Sequence, residues 1–163
     1  MAAQKESTDG IDVVASNRQA RRNFFIDDTF ECGMVLKGSE VKSLRESKVQ
    51  LAEAYASMDA GEMWIHNLYV APYSHAQAHS GHDTLRVKKL LLHRRELDRI
   101  RQRLKTERLA LVPMKLYFKG GRAKVEIGLG KGKKLHDKRR DMAEKDAARE
   151  ADRAMGRAAK GDY

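Results

Sequence analysis

The last thirty-three residues limit most strongly what this chain can fold into. From residue 131 to 163 there are eleven Lys or Arg and seven Asp or Glu, but no Val, Ile, Phe or Trp. A segment with so little to bury cannot offset its ordering entropy by packing. We therefore expect a basic C-terminal tail over 131–163 that is disordered when free and becomes helical on a polyanionic partner, because clustered cations gain counterion release and charge-assisted hydrogen bonds from phosphate.

The rest of the chain is also basic and fits one domain with a modest core. Residues 1–130 carry 22 basic and 16 acidic side chains, and the whole chain has a net charge of +10. Excess positive charge in both parts favours nucleic acid as the partner. No apolar run approaches the roughly twenty residues that span a bilayer, and the N-terminus lacks an apolar signal segment. We expect a soluble, cytoplasmic protein without membrane contact.

Hydrophobic periodicity predicts a mainly β fold with helices. Residues 1–16 are small and polar and are expected to form a flexible N-terminal segment. Alternation over 24–36 predicts a strand, and residues 38–45 suit a short helix with Ser39 as candidate cap. Strands are expected over 55–58, 63–70, 114–118 and 125–129, with a basic helix over 86–108 before the last pair. About five strands and two helices favour a small OB-type β-barrel over 17–130.

A tight turn and a single cysteine add two local predictions. Gly120 and Gly121 predict a hairpin between the last two strands. Cys32 is the only cysteine, which excludes an internal disulfide and a Cys-based zinc site, and we expect it in the core.

Two stretches, one rich in arginine and the other in glycine and lysine, carry the candidate binding chemistry. Residues 17–23, with three arginines and two asparagines, lead directly into an aromatic strand. Planar guanidinium groups beside aromatic rings suit RNA, since they stack on unpaired bases and bind phosphates. Residues 128–134 resemble a phosphate loop but lack its full pattern. We expect these glycines to let the backbone approach another strand closely, with Lys131, Lys133 and Lys134 available to phosphates.

Metal and nuclease chemistry are weaker interpretations. His75, His79 and His82 have a spacing that invites a metal, but neither cysteine nor a firm carboxylate completes a ligand set, so we predict no metal and no cofactor. His136 and Asp137 are adjacent candidates for general acid–base catalysis. Because a mobile tail does not hold catalytic geometry, we predict no catalytic residue.

Six ordered blocks of sequence are similar to one known family. They are Asn17-Arg18-x-Ala20-Arg21, Phe30-Glu31-x-Gly33, Gly38-x-Glu40-Val41-Lys42-Ser43-Leu44-Arg45, Lys89-Leu90-Leu91-Leu92, Arg95-Glu96-Leu97 and Gly130-Lys131-Gly132-Lys133-Lys134-x-His136-Asp137-Lys138-Arg139. Together they resemble SmpB, the SsrA-binding protein family of bacterial trans-translation. Two positions depart from the usual family pattern: Arg22 stands where His is common, and Ser39 where Trp is common.

The resemblance implies a function and a set of site residues. The protein would be a non-enzymatic, monomeric adaptor that binds the tRNA-like domain of tmRNA and delivers it to stalled ribosomes. Its tail would occupy the empty mRNA channel, near small-subunit RNA around the A site. The RNA-binding surface would include Asn17, Arg18, Arg21, Arg22, Glu31, Lys42, Arg45 and Lys124. The ribosomal role of the tail would involve Lys131, Lys133, Lys134, His136, Asp137, Lys138, Arg139 and Met155.

Two alternative functions remain open from sequence. A general single-strand RNA chaperone would use the same barrel without selecting a folded RNA. A histidine- or metal-dependent ribonuclease is the less favoured alternative.

Overall fold

In the computed structural model, which describes residues 10–76 and 81–160, the chain forms nine strands and four helices. The strands are β1 Ile11–Ser16, β2 Phe24–Met34, β3 Val49–Gln50, β4 Tyr55–Asp59, β5 Glu62–His66, β6 Tyr69–Val70, β7 Lys88–Leu91, β8 Ala110–Lys119 and β9 Arg122–Gly132. The helices are α1 Ala20–Asn23, α2 Gly38–Arg45, α3 Arg94–Thr106 and α4 Leu135–Lys160.

Seven of the strands form one antiparallel sheet that closes on itself. Its order is β1-β8-β4-β5-β7-β2-β9, and β8 also pairs with β9. This last pairing joins β8, β4, β5, β7, β2 and β9 into a ring, with β1 added along β8. The turn between β8 and β9 places Gly120 and Gly121 at φ values of 58° and 75°, which glycine adopts easily. The predicted mainly β fold, with helices and a glycine hairpin, is confirmed.

The core lies inside this ring and is built from alternate residues of its strands. Phe30 and Cys32 on β2 face inward, as do Val125, Ile127 and Leu129 on β9. Each fully buried aliphatic side chain contributes roughly 1.5–3 kcal/mol relative to an exposed one. Cys32 is completely buried, as expected, and burial raises the pKa of its thiol to about 12. The thiol is therefore protonated and unreactive at neutral pH.

The N-terminal segment differs from the expectation of flexibility over 1–16. Residues 11–16 form β1 and pair with β8, and Val14 and Ala15 pack against the core. These small apolar side chains are enough to order a strand when a long neighbour supplies its hydrogen bonds. Residues 1–9 lie outside the described part of the chain.

The basic stretch expected to be one helix over 86–108 contains a strand and a shorter helix. β7 pairs with β5 and β2, and it buries Lys88 and Leu90 inside the ring. Because one of the inward-facing residues is a lysine, the sequence of this strand does not show the alternation of apolar and polar residues that predicts a strand. α3 begins only at Arg94, where the Glu96 carboxylate accepts a hydrogen bond from the His93 amide at 3.3 Å.

The helix α2 has the predicted bounds but a different cap. The Glu40 carboxylate accepts a hydrogen bond from the Lys37 amide at 2.8 Å and so satisfies the helix N-terminus. Ser39, the expected cap, instead contacts the buried His82, with 2.9 Å between its hydroxyl oxygen and Nδ1. Ser39, which stands where tryptophan is common in the family, therefore packs against a histidine ring.

The C-terminal tail forms a helix over Leu135–Lys160, the conformation that was expected for its bound state. Disorder of the tail in the free chain stays a prediction. β9 also continues to Gly132, so residues 131 and 132 belong to the sheet. The sequence favours the helix for a local reason: alanines and long charged side chains are strong helix formers. None of the described helices is both long and apolar enough to cross a membrane.

Candidate nucleic-acid interface

Asn17 anchors the turn that leads from β1 into α1. Its side-chain amide donates to the Pro113 carbonyl at 3.1 Å, and its side-chain oxygen accepts from the Gln19 amide at 3.2 Å. Its backbone amide also donates to the Met114 carbonyl at 2.8 Å. Asn17 therefore fixes the position of α1 on β8. What the structure shows for Asn17 is this structural role; its part in RNA binding stays a prediction.

The arginines of α1 project into solvent because the opposite side of the helix is buried. Ala20 is 2% exposed and packs against Val112 on the outer face of β8. Arg18, Arg21 and Arg22 are all exposed. We call these three residues the α1 patch. Exposed guanidinium groups can bind phosphates, and their planar fork reduces the side-chain entropy lost for each hydrogen bond that they form.

Glu31 lies in an open cleft of about 560 Å³ beside the β8–β9 hairpin, which Lys124 also lines. Its carboxylate accepts a hydrogen bond from the Tyr117 hydroxyl, and the Lys119 ammonium lies 3.4 Å away. The Tyr117 hydrogen bond lowers the pKa of Glu31, burial opposes this, and Lys119 lowers it further. Glu31 therefore stays ionised at neutral pH. A fixed carboxylate of this kind can accept hydrogen bonds from base amino groups or 2′-hydroxyls.

Glu40 attaches α2 to the sheet through a buried cluster of charges. Its carboxylate lies 2.6 Å from an Arg86 nitrogen and 3.3 Å from the Lys88 ammonium, and neither Glu40 nor Lys88 is exposed. Burial raises the pKa of Glu40, but the Arg86 hydrogen bond, the Lys37 amide and the charge of Lys88 outweigh it, so the net direction is downward. Burial lowers the pKa of Lys88, and the nearby Arg86 charge lowers it further; Glu40 raises it but does not reverse the downward direction.

The anchored helix carries Lys42 and Arg45 on its outer side. Both side chains are exposed. The Arg45 guanidinium lies 4.8 Å from the centre of the Phe118 ring, which lines the Glu31 cleft. The Lys42 ammonium lies 5.3 Å from the centre of the Tyr73 ring. Cation–π contacts hold both groups in place while leaving them open to solvent. We call Glu31, Lys42, Arg45 and Lys124 the cleft patch.

The eight predicted RNA-binding residues therefore fall into two groups. α1 ends where β2 begins, at Phe24, whereas Glu31 lies seven residues further along that strand. At about 3.3 Å per residue, this separates the two patches by roughly 20–25 Å along β2. Only an extended partner can contact both patches at once. A folded RNA helix, with a diameter of similar size, meets this requirement.

Lys133 joins the tail to α1 and is not the free phosphate ligand that sequence predicted. Its side chain is 8% exposed, and its ammonium forms a salt bridge with Asp141 in the second turn of α4. The ammonium also donates to the Arg21 carbonyl at 2.9 Å and lies 4.7 Å from the centre of the Phe25 ring. Its backbone amide donates to the Asn23 carbonyl at 2.8 Å. The start of α4 is thereby attached to the α1 patch.

The remaining tail residues are mostly open to solvent. The Asp137 carboxylate caps α4 by accepting from the Lys134 amide at 3.2 Å, and it lies 3.2 Å from His136 Nε2. Lys134, His136 and Arg139 are exposed, and Lys138 is half-buried. Lys131 lies 3.8 Å from Glu107, and Met155 is 65% exposed. Asp137 therefore has a structural role in starting the helix.

The histidines of the metal hypothesis do not form a shared site among residues 10–76 and 81–160. His82 is buried and contacts the Val70 carbonyl oxygen at 3.0 Å as well as Ser39. His75 is exposed, and His79 lies outside the described residues. No group of three or more metal-ligating side chains occurs within those ranges. The His136–Asp137 pair lies in the first turn of α4, where the His136 side chain is 74% exposed.

Two features of this surface were missed by sequence reasoning. The first is the buried Glu40 cluster, which was not recognised because Arg86 and Lys88 were assigned to an exposed basic helix.

The second is an aromatic stack. Tyr55, which is 49% exposed on β4, stacks on His66 of β5 with 4.9 Å between ring centres. The alternation of Tyr55 and Ser57 with buried Ala56 was a signal that could have placed this ring on the outer face.

Comparison with known proteins agrees with the motif blocks. The model of the SmpB protein family matches residues 14–157 of this chain. The SsrA-binding protein of Mycobacterium sp. (strain KMS) is 48% identical over 167 residues, covering 99% of each chain. That of Mycobacterium leprae (strain Br4923) is 50% identical over 152 residues, covering 93% of this chain and 94% of the relative.

A solved structure supports the same conclusion. It is described as "tmRNA-SmpB: a journey to the center of the bacterial ribosome" and superposes with a TM-score of 0.62 at 43% identity. The superposition covers 77% of this chain and 91% of the other. The family match extends over most of the chain and includes both patches and most of α4. The chain therefore belongs to the SmpB protein family.

Proposed function

We propose that this chain is a non-enzymatic RNA-binding adaptor of the cytoplasm, which binds the tRNA-like domain of tmRNA and delivers it to stalled ribosomes for trans-translation. The observation that carries this proposal is the near full-length match to SsrA-binding proteins, at 48–50% identity. The structural likeness to an SmpB chain described with tmRNA and the ribosome supports it. No cofactor or metal is needed for this function.

The two patches would share the binding of the folded RNA. The arginines of the α1 patch would bind backbone phosphates, and the cleft patch would place a carboxylate and three cations against a second part of the RNA. Because most of these groups recognise phosphate and shape, affinity should depend on the fold of the RNA more than on its sequence.

The tail would act separately on the ribosome. α4 would lie in the empty mRNA channel, where the exposed cations Lys134, Arg139 and their neighbours would meet ribosomal RNA. Met155 is exposed near the far end of the helix, where it would supply an apolar contact. Lys133 would set the direction in which α4 leaves the sheet, because it holds the first turns against α1.

The RNA specificity can be tested by purification and by salt dependence. RNA that copurifies with the tagged chain should be enriched in tmRNA. The isolated tRNA-like domain should bind with an affinity that falls steeply as salt rises, and Arg18→Ala should reduce the slope of that dependence by about one. Arg101→Ala removes the same exposed charge from α3 and should leave the slope nearly unchanged.

Two results would redirect the proposal. Equal competition by unstructured RNA would indicate a general single-strand RNA chaperone. Reproducible cleavage of labelled RNA, measured with and without chelator, would indicate a ribonuclease.

A further inference from the structure

A hollow of about 140 Å³ lies between α1 and the outer face of the ring. Its floor is apolar and comes from β8, with Ala110 and Val112 among its lining residues. Gln19 and Asn23 of the α1 region and Tyr55 of β4 also line it, and they add polar groups and an aromatic ring. A small apolar floor with these polar groups suits a flat, amphipathic ligand better than a phosphate alone.

The aromatic side of the hollow is held rigidly. Tyr55 and His66 are cross-strand partners, and their rings are stacked with an interplanar angle of 10°. The His66 ring is fixed in turn, since its Nε2 lies 2.8 Å from the Ser57 hydroxyl oxygen. One face of the Tyr55 ring is thus covered, while the residue as a whole is 49% exposed. A ring held in this way is ready to stack on another planar group.

The amide side of the hollow offers unused hydrogen-bonding groups. Gln19 is the cap of α1 and Asn23 its last residue, so they are four residues apart and lie on the same side of the turn. Within residues 10–76 and 81–160, neither side-chain amide makes a hydrogen bond, although the backbones of both residues do. Each amide offers two donors and an acceptor, the combination that the edges of nucleobases present.

We infer that this hollow binds one unpaired nucleobase of RNA, which stacks on Tyr55 while Gln19 and Asn23 bind its edge. The base would lie beside the α1 patch, so that its own phosphates reach Arg18 and Arg21. Stacking between an aromatic ring and a splayed-out base is a common way in which proteins recognise single-stranded parts of RNA. The inference rests on the proposed function and assigns the α1 side a base contact in addition to its phosphate contacts.

The salt dependence of RNA affinity distinguishes stacking from charge. Tyr55→Ala should weaken binding of the isolated tRNA-like domain about 5- to 150-fold at every salt concentration, with an unchanged salt slope. Tyr55→Phe keeps the ring and should bind like the wild type. Leu85→Ala is the matched control, because Leu85 is equally exposed at 49% and lies away from the hollow. Arg18→Ala should instead change the slope.

A double variant tests the amide groups without touching the aromatic stack. Gln19→Ala with Asn23→Ala should also weaken binding at unchanged slope. The fluorescence of Trp64, the single tryptophan, checks that β5 and its pairing with β4 remain intact in each variant. Wild-type affinity in both Tyr55→Ala and the double variant, with Arg18→Ala still impaired, would overturn the base site and leave the proposed function standing. Failure of the wild-type chain to bind the RNA would overturn the proposed function itself.

Discussion

Lys133 shows how one side chain can connect two parts of the molecule. Its ammonium contacts Asp141, the Arg21 carbonyl and the Phe25 ring, and these contacts leave the side chain only 8% exposed. Lys133→Ala should release the first turns of α4, and their amides should exchange about threefold faster or more in hydrogen-exchange experiments. Lys134→Ala, at the exposed neighbouring position, should exchange like the wild type. Unchanged exchange in Lys133→Ala would show that the joint does not hold the helix.

Gly130 is required by a close approach between two strands. A Cβ at this position would lie 2.1 Å from the Phe25 carbonyl oxygen, which belongs to the paired strand β2. Gly130→Ala should therefore lower the free energy of unfolding by about 1–3 kcal/mol, as measured by urea denaturation. This close approach confirms the expectation that a glycine in 128–134 permits backbone contact.

Gly156 is the matched control for this substitution. Nothing in the described part of the chain would lie within 4 Å of a Cβ at this position of α4. Gly156→Ala should increase the helix signal in circular dichroism, because alanine favours an exposed helix by about 1 kcal/mol over glycine. Equal effects of the two substitutions would contradict the role of backbone contact at Gly130.

At the scale of elements, α2 depends on its buried carboxylate. Glu40→Gln leaves Lys88 without a charged partner inside the sheet, and it weakens the bond to Arg86. The free energy of unfolding should fall by about 3–5 kcal/mol, the usual cost of breaking a buried ion pair from one side. Glu46→Ala removes the partially exposed Lys48–Glu46 pair and should cost about 1 kcal/mol or less. Similar losses in the two variants would argue against a special role for Glu40.

The same carboxylate predicts a dependence of stability on pH. The pKa of Glu40 is lower in the folded chain than the ordinary glutamate value of 4.5. Its ionisation therefore stabilises the fold above that value, and this contribution is lost as pH falls through the lower folded pKa. The stability difference between wild type and Glu40→Gln should be largest above about pH 5 and should shrink in more acid solution. A difference that stays constant with pH would mean that the charge of Glu40 is not responsible.

Sequence reasoning identified the elements whose pattern is local. The alternation in β2, β8 and β9 and the Gly120-Gly121 turn were sufficient, because inward and outward residues differ in polarity there. β7 was missed since it buries Lys88, whose charge is balanced by Glu40 from another element. β1 was missed since its order comes from pairing with β8, about one hundred positions further along the chain. Both errors concern contacts between distant residues, which a local pattern does not contain.

The candidate site was predictable as a set of residues but not as an arrangement. The motif blocks named the cations correctly as exposed in most cases. They did not separate the α1 patch from the cleft patch, because the distance between the patches is set by the extended conformation of β2 in the folded sheet. The burial of Lys133 was also hidden, since it depends on how α4 turns back towards α1.

At the scale of the whole molecule, the folded ring and the tail differ in how they are stabilised. The ring has a continuous core, whereas the described side chains of α4 beyond Asp141 are all exposed. The helix is attached to the ring mainly through its first two turns. We therefore expect that RNA binding belongs to the ring and that the tail contributes on the ribosome.

The most direct test of this division is a chain that ends at Lys134, which keeps β9 and its pairing with β2 complete. Its affinity for the isolated tRNA-like domain and its ability to rescue stalled ribosomes should be measured beside the full chain, at physiological salt. We predict RNA affinity within about threefold of the full chain, because the phosphate contacts of the ring remain, together with loss of ribosome rescue. An RNA affinity that falls as far as the rescue activity would contradict the account.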